Sequence, residues 1–254
     1  MEEEAMILEI GVLAGGEGRR LGAPVPKAWV KLCGKPICHY VIEEAQKLSA
    51  DRILVVCHDE WKDRLPNESR ITALPRQGGY LRDLFQLIDS CKSDYLLVVN
   101  ADAVLINAKT MSNLVKLAEV STAGFIWPAV PAEKCLPQFD GRRYVPGSKK
   151  LLARCNAMIL RPGEIKIDQA TRVRMQKYPG WGELIALGIS GCFRIATGQF
   201  TVDELCNLMG KILGCKVEIP VIDDPALAFD IDSRQDWSFA NYELRGGGVP
   251  IIVE

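Results

Sequence analysis

A glycine-rich, basic segment directly after an apolar run constrains this chain more than any other feature. Residues 7–12 are mostly apolar and predict a first β-strand, and residues 13–27, LAGGEGRRLGAPVPK, follow at once. Glycines let backbone N–H groups approach a ligand closely and adopt positive φ angles, and arginine and lysine side chains add positively charged donors. The segment is therefore predicted to be a strand-end loop that holds a polyphosphate.

Two familiar phosphate-binding loops do not fit this segment. A P-loop needs G-x-x-x-x-G-K-[ST], and Gly16 and Gly22 have the wrong spacing, with no Lys-Ser or Lys-Thr after them. The dinucleotide fingerprint G-x-G-x-x-G fits its first two glycines, but Leu21 stands at its third. In that fingerprint a helix begins at once, whereas Pro24 and Pro26 would interrupt a helix in its first turns. The sequence predicts a long irregular loop instead.

Strand and helix signals alternate through the first half of the chain. Apolar runs predict strands at residues 7–12, 52–57, 95–99 and 125–130. Apolar residues at helical spacing predict helices at residues 36–48, 80–91 and 109–118. Repeated strand–helix–strand units imply a doubly wound α/β fold, with a mostly parallel sheet and helices on both faces. Right-handed crossovers place ligands at the carboxyl ends of such strands, which is where the basic loop lies.

The second half of the chain is less regular. Strands are predicted at residues 151–160 and 216–222, and helices at residues 163–177, 182–187 and 201–213. The last helix has the clearest signals, with Thr201 as N-cap, Glu204 completing a capping box and Gly214 at its end. The apolar tail at 249–253 could form an edge strand or a contact in a homodimer, and the sequence does not decide between the two.

Composition limits the class of protein. At 254 residues the chain can bury a substantial core and is short enough for one domain, taken as 1–254. Its net charge of −1 argues against a nucleic-acid partner held by a broad basic surface. Apolar runs fall short of the roughly 18–20 residues of a membrane span, and the acidic start MEEEAM is unlike a secretory signal. The nine cysteines form no C-x-x-C pair, which indicates free thiols in a reducing cytoplasm.

The pattern L-A-G-G-x-G-x-R-x-G, followed by P-K and then by Leu32, Gly34, Lys35 and Pro36, resembles the signature of NTP-dependent nucleotidyltransferases. The molybdenum cofactor guanylyltransferase-like (MobA-like) proteins are closest in pattern. Sugar-1-phosphate nucleotidyltransferases and methylerythritol-phosphate cytidylyltransferases share the outline. The resemblance covers residues 10–42 and implies a Rossmann-like fold of GT-A type. It also implies an enzyme that transfers NMP from an NTP to a phosphorylated small-molecule acceptor and releases pyrophosphate.

The resemblance assigns roles to the loop residues. Lys27 and Arg19 would stabilise negative charge on the reacting phosphate, with Arg20 as the alternative phosphate ligand. The backbone and side chains expected to bind the nucleotide are those of Leu13, Ala14, Gly15, Gly16, Gly18, Arg20, Gln77 and Gly78. The base stays open among GTP, CTP and ATP, and the likeness to guanylyl- and cytidylyltransferases favours GTP or CTP.

Two groups of aspartates are candidates for the Mg²⁺ that nucleotidyl transfer requires. Asp102 stands just after the central predicted strand, where the family has a metal ligand, although this chain lacks the proline that usually follows. Asp230 and Asp232 lie in a segment that resembles the D-I-D-[ST]-x-x-D segment near the end of these proteins, and they fall on one face if the backbone is extended. The resemblance implies that Asp102 with Asp230 or Asp232 holds the metal. Asp232 or Ser233 could instead cap the helix that follows.

The acceptor is expected to bind to the irregular region at about 131–200. A basic stretch there suits a phosphorylated acceptor, although a solvated charged face would explain it as well: Arg142, Arg143, Lys149, Lys150, Arg154 and Asn156. Two other functions remain open. A nucleotide-sugar glycosyltransferase would want a D-x-D motif, which Asn100-Ala101-Asp102 only half supplies. A catalytically silent nucleotide-binding protein is favoured by the missing proline after Asp102.

Overall fold

The computed structural model describes residues 7–135, 144–177 and 201–246, and a seven-stranded sheet lies at its centre. The strands are β1 (Leu8–Leu13), β2 (Lys31–Leu32), β3 (Lys35–Pro36), β4 (Arg52–Cys57), β5 (Ile71–Pro75), β6 (Tyr95–Asn100), β7 (Phe125–Ile126), β8 (Ala129–Pro131), β9 (Leu152–Arg154), β10 (Ala157–Leu160) and β11 (Val217–Glu218). The helices are α1 (Ile37–Gln46), α2 (Tyr80–Ser90), α3 (Ala108–Val120), α4 (Gln169–Lys177), α5 (Val202–Leu213) and α6 (Arg234–Leu244).

The central sheet has the strand order β11-β7-β10-β6-β1-β4-β5. Strand β1 pairs in parallel with β4 and β6, and β4 pairs in parallel with β5. Strand β10 runs antiparallel between β6 and β7, and β11 is parallel to β7. Helices pack on both faces. The predicted doubly wound, mostly parallel α/β fold is therefore confirmed.

Two apolar clusters, one on each face of the sheet, hold the helices in place. On the first face, α1 and α3 pack against side chains such as Ile10, Ile53 and Leu97, which are fully buried. On the second face, α2 and α5 pack against Leu54, Val98 and their neighbours. Because successive side chains of a strand point to opposite faces, one continuous apolar run supplies both clusters.

The carboxyl ends of β1 and β6 lie side by side and set the position of the loop that follows β1. Leu13, the last residue of β1, is paired with Asn100, the last residue of β6. The backbone N–H of Ala101 donates to the carbonyl of Leu13 at 3.1 Å. The basic loop and Asp102 therefore leave the sheet from adjacent points.

Two predicted strands are each divided in the structure. The strand expected at 125–130 consists of β7 and β8, and the strand expected at 151–160 consists of β9 and β10. Strands β8 and β9 pair with each other as a separate two-stranded sheet, outside the central sheet. The break between β9 and β10 falls at Cys155 and Asn156. There the N–H of Asn156 donates to the carbonyl of Leu227 at 2.7 Å, outside both sheets.

Three other element predictions were wrong in extent or were missing. The helix expected at 163–177 is only α4, after a short 3₁₀ turn at Pro162–Glu164. The strand expected at 216–222 is only β11, since Pro220 lacks the N–H that would continue a ladder. Strand β5 was not predicted, because it is a half-buried edge strand that ends in proline. The capping box of Thr201 and Glu204 at the start of α5 is present as predicted.

Some predicted features lie outside the described residues. These are the helix at 182–187, the tail at 249–253 with its dimer contact, and Arg142 with Arg143 of the basic stretch. The single-domain assignment over 1–254 stays a prediction. Within the described ranges, the helices are too short or too polar to cross a membrane.

A buried ion pair at the amino-terminal edge of the sheet provides a test of the fold. Glu9 is 1% exposed and accepts from Arg52 Nη2 at 2.9 Å and from Ser93 Oγ at 3.2 Å. Replacing Glu9 by alanine is expected to lower the free energy of unfolding by about 2–4 kcal/mol, because it leaves the Arg52 guanidinium without its carboxylate. Urea denaturation followed by circular dichroism measures the change. The exposed Glu119→Ala serves as control, with a change within about 0.5 kcal/mol; equal losses in both variants would contradict the prediction.

Candidate active site

The loop after β1 folds back on itself and brings Lys27 under its glycines. The N–H of Lys27 donates to the carbonyl of Gly16 at 2.9 Å. Gly18 has a φ of 67°, and a Cβ there would lie 3.0 Å from the Lys27 Cα. Position 18 therefore needs glycine for both its backbone angle and its close approach. As predicted, the loop is irregular: it contains short 3₁₀ turns at Arg19–Leu21 and Lys27–Trp29, and the short strands β2 and β3 follow before α1.

Three carboxylates converge beside this loop. Asp102 follows β6, and Asp230 and Asp232 lie in the extended segment before α6. One carboxylate oxygen from each residue lies within 4.8 Å of the others. The N–H of Ile231 donates to the carbonyl of Asp102 at 3.3 Å, which joins the two segments. The alternation that predicted a common face for Asp230 and Asp232 is thus realised.

Ser233, rather than Asp232, caps α6. The Ser233 hydroxyl accepts from the N–H of Asp236, and the Asp236 side chain accepts from the N–H of Ser233, forming a capping box. The N–H of Asp232 also donates to Asp236 Oδ2, at 3.1 Å. With the cap supplied by Ser233, the Asp232 carboxylate faces the acidic cluster. The capping alternative for Asp232 is therefore excluded.

The ammonium group of Lys27 lies among the carboxylates. Its Nζ is 2.5 Å from Asp102 Oδ2 and 2.5 Å from Asp232 Oδ1, and its side chain is only 10% exposed. Burial by itself would lower the pKa of Lys27, but the charges and hydrogen bonds of Asp102 and Asp232 outweigh it and raise that pKa above its usual value. Lys27 therefore carries a full positive charge. Arg20 adds a second, largely exposed pair with Asp232 at 3.1 Å.

The acidic cluster meets the chemical requirements of a divalent cation. Asp102 Oδ1 is buried and has no hydrogen-bond partner among the described residues, so it offers an unsatisfied carboxylate oxygen. Mg²⁺ prefers carboxylate and phosphate oxygens as ligands. Asp102, Asp230 and Asp232 could hold the ion, and the Lys27 ammonium group contacts the carboxylates of Asp102 and Asp232.

A second loop, which contains Gln77 and Gly78, approaches the loop after β1 at the place where the nucleobase is predicted to bind. Gly78 has a φ of 82°, and the N–H of Gln77 donates to Asp83 Oδ1 at 2.7 Å. A Cβ on Gly15 would lie 2.7 Å from Asp83 Oδ2. Asp83 of α2 therefore joins the two loops, and burial raises its pKa. The sequence did not suggest Asp83, because a carboxylate in an amphipathic helix looks like a surface residue.

A cavity of about 970 Å³ opens beside the acidic cluster. Among the predicted site residues, those that line it are Gly16, Gly18, Arg20, Lys27, Asp102, Asp230 and Asp232. Those that are described but do not line it are Leu13, Ala14, Gly15, Gln77 and Gly78. Ala14 is buried and its N–H donates to the carbonyl of Val56 at 2.9 Å, which continues the sheet pairing. The side chain of Arg19 lies outside the described part of the chain.

The basic stretch predicted for the acceptor contributes two residues to this cavity. Arg154 and Asn156 line it, while the exposed Lys149 and Lys150 do not. The Asn156 Oδ1 accepts from Asn100 Nδ2 at 2.9 Å, and Arg154 Nε donates to the carbonyl of Tyr144 at 2.8 Å. Both side chains are thus held in the wall of the cavity that the acidic cluster also lines. The two lysines fit the alternative of a solvated charged surface.

Residues 10–168 match the family model described as the MobA-like NTP transferase domain. The chain is also similar to curated proteins named bifunctional protein GlmU. That of a Nitratiruptor species is 30% identical over 122 residues, and that of Legionella pneumophila (strain Lens) is 33% identical over 119 residues. These matches cover 44% and 45% of this chain but 27% and 26% of the relatives, so the chain spans about a quarter of their length.

Solved structures share the fold. A hypothetical transferase from Thermus thermophilus superposes with a TM-score of 0.71 and 21% identity, over 91% of this chain and 100% of that one. The 2-C-methyl-D-erythritol 4-phosphate cytidylyltransferase of Thermus thermophilus gives a TM-score of 0.56 and 14% identity, over 94% of this chain and 100% of that one. These likenesses support the Rossmann-like architecture derived from the strand order.

The cap at Ser233 can be tested separately from activity. Ser233→Ala is expected to lower the free energy of unfolding by about 0.5–2 kcal/mol, because the N–H of Asp236 loses its acceptor. Ser233→Thr should restore most of that loss, since a threonine hydroxyl can both accept from the N–H of Asp236 and donate to its carboxylate. Ser238→Ala, in the same helix, is the control in urea denaturation. A loss in Ser233→Ala that the threonine does not restore would show that the cap is not the cause.

Proposed function

Since the chain belongs to the MobA-like NTP transferase domain family, we propose that it transfers NMP from an NTP to a phosphorylated small-molecule acceptor and releases pyrophosphate. The single observation that carries this proposal is the meeting of the glycine loop, Lys27 and three aspartates at one end of the sheet. A triphosphate needs backbone donors, a fixed cation and a place for a divalent metal, and the site offers all three.

In this proposal the glycine loop binds the triphosphate through backbone N–H groups. Gly16 and Gly18 line the cavity, and no side chain there would keep phosphate oxygens away. Arg20, and Arg19 by family resemblance, would neutralise the outer phosphates. Gln77 and Gly78, held against Gly15 by Asp83, would border the base, with GTP or CTP favoured.

Lys27 is proposed as the principal stabiliser of the reaction. An acceptor phosphate oxygen would form a bond to the α-phosphorus while the bond from that phosphorus to the pyrophosphate oxygen breaks. Negative charge accumulates on the oxygens around the α-phosphorus, and a fixed ammonium group in a water-poor site stabilises it. Because its pKa is raised, Lys27 remains charged throughout the physiological range.

Asp102, Asp230 and Asp232 are proposed to hold Mg²⁺. When bound, the ion would supply charge neutralisation for the triphosphate and the departing pyrophosphate. Lys27 contacts two of the three carboxylates, so it would have to give up part of these contacts as it turns toward the phosphates. Lys27 thus neutralises part of the charge of the cluster before substrate arrives.

A reducing cytoplasm is the proposed location. The cysteines within the described ranges are free thiols. Burial raises the pKa of Cys57 to about 11 and that of Cys38 to about 12, so both are unreactive at neutral pH. Such thiols suit an enzyme of a reducing compartment.

Pyrophosphate release tests the proposed reaction directly. Each NTP is incubated with Mg²⁺ and a panel of sugar, polyol and alkyl phosphates, and Lys27→Ala and Asp102→Asn are each expected to lower kcat/KM at least about 100-fold. Asp94→Asn is the matched control, since Asp94 is exposed at the opposite end of β6. The control should keep parental activity.

Two outcomes would contradict this proposal in different ways. NTP binding by calorimetry without turnover for any acceptor would indicate a silent nucleotide-binding protein. Parental activity in both Lys27→Ala and Asp102→Asn would refute the residue roles while leaving the reaction in place.

A further inference from the structure

The cavity beside the acidic cluster continues along the second face of the sheet, between the strands β7 and β10 and the helices α2 and α5. Three members of the second apolar cluster line this cavity and keep a small exposed fraction: Met158 is 6% exposed, Leu84 is 7% and Leu213 is 9%. The cavity therefore reaches into the apolar core on this face of the sheet.

The lining of this cavity changes from polar to apolar along its length. Its charged and amide groups come from the glycine loop, the acidic cluster and the adjacent residues Asn100, Arg154 and Asn156. Beyond them, the described lining from α2, α4 and α5 consists of leucine, isoleucine, phenylalanine and methionine side chains, with the phenol of Tyr80 at the start of α2 as the one polar group. A hydroxyl-rich acceptor would leave most of its hydroxyls unpaired at this end, and burying unpaired hydroxyls is costly.

Arg154 has neighbours in both kinds of lining. It is two residues before Asn156, which pairs with Asn100 in the polar part, and it lies against Trp127, which packs on the second apolar cluster. Its guanidinium lies 5.7 Å from the ring centroid of Trp127, and its Nε donates to the carbonyl of Tyr144. The Trp127 Nε1 donates in turn to the carbonyl of Cys155 at 3.2 Å. A guanidinium held in this way can bind a phosphate at the border of the acidic cluster. The apolar end then begins directly behind that phosphate.

The cavity is large for a small-molecule site. Its volume of about 970 Å³ is at the upper end of the roughly 300–1,000 Å³ typical of such sites. The residues predicted to bind the nucleotide line only the end at the loop and the acidic cluster. The apolar end is continuous with that end and contains none of them.

We propose that the acceptor is an amphiphilic monophosphate, with its phosphate at Arg154 and a single alkyl or prenyl chain in the apolar end. This inference rests on the proposed function and names its substrate class. An acceptor phosphate oxygen forms the bond to the α-phosphorus, and pyrophosphate leaves with the electrons of the bond that breaks. The product is a nucleoside diphosphate linked to the chain through its phosphates. Methionine side chains such as Met158 and Met209 adapt to a flexible chain.

A series of acceptors of increasing chain length tests this proposal. Butyl, octyl, decyl and geranyl phosphates, below their micellar concentrations, are compared with glycerol phosphate in the pyrophosphate assay with Mg²⁺ and the preferred NTP. The KM is expected to fall by up to about fourfold per added methylene until the apolar end is full. Because decyl and geranyl phosphates have the same number of carbons, their KM values show whether the apolar end prefers a saturated or a prenyl chain. Equal kcat/KM for glycerol, butyl and decyl phosphates would overturn the proposal.

Two tryptophan variants in one helix localise the effect. Met209 of α5 lines the cavity, whereas Asn207 is exposed and does not line it. Met209→Trp is expected to raise the KM for decyl phosphate at least tenfold and to flatten the dependence on chain length. Asn207→Trp should keep the parental KM for decyl phosphate and the parental dependence on chain length. Circular dichroism establishes whether each variant is folded. If Met209→Trp is not folded, Leu208→Phe replaces it, since Leu208 also lines the cavity.

Calorimetry with decyl phosphate alone separates this proposal from the proposed function. Binding that strengthens with chain length and is lost in Met209→Trp, without pyrophosphate release for any acceptor, would support the apolar site and refute the transfer reaction. Pyrophosphate release with hydrophilic acceptors, and no binding of decyl phosphate, would support the transfer reaction and refute the amphiphilic acceptor.

Discussion

The contact of one buried ammonium group with two carboxylates underlies the rest of this site. Lys27 Nζ lies 2.5 Å from Asp102 and 2.5 Å from Asp232, which come from segments far apart in the chain. Without that positive charge, three carboxylates within 4.8 Å of one another would repel strongly in a poorly solvated place. The fold can keep these aspartates together before any substrate binds because Lys27 neutralises part of their charge.

The sheet topology explains why these groups meet. Strands β1 and β6 are parallel neighbours, so the glycine loop and Asp102 start from the same edge. The segment with Asp230 and Asp232 joins that edge through a backbone bond to Asp102, and the capping box at Ser233 fixes the start of α6. Chemistry at the carboxyl edge of the sheet thus depends on contacts that hold segments from both halves of the chain.

Local signals allowed much of this arrangement to be predicted from sequence. The run Arg52–Cys57 is continuous and apolar, and it forms a strand with the predicted bounds. Asp102 at a strand end and the alternation of Asp230 with Asp232 gave the acidic cluster. Long-range packing could not be predicted from the sequence. Asp83 resembles a surface residue there, and only the fold places it between the two loops. The apolar end of the cavity depends on how α5 crosses the sheet, which no local pattern specifies.

The affinity for Mn²⁺ without nucleotide, measured by electron paramagnetic resonance in the parent chain and in Lys27→Met, tests the central claim most directly. If the ammonium group takes the place of a cation among the carboxylates, Lys27→Met should bind Mn²⁺ about tenfold more tightly than the parent, since the competing charge is gone. Adding Asp102→Asn to that variant should abolish the gain. Equal or weaker binding in Lys27→Met would contradict the claim that Lys27 and the metal compete for the carboxylates of Asp102 and Asp232.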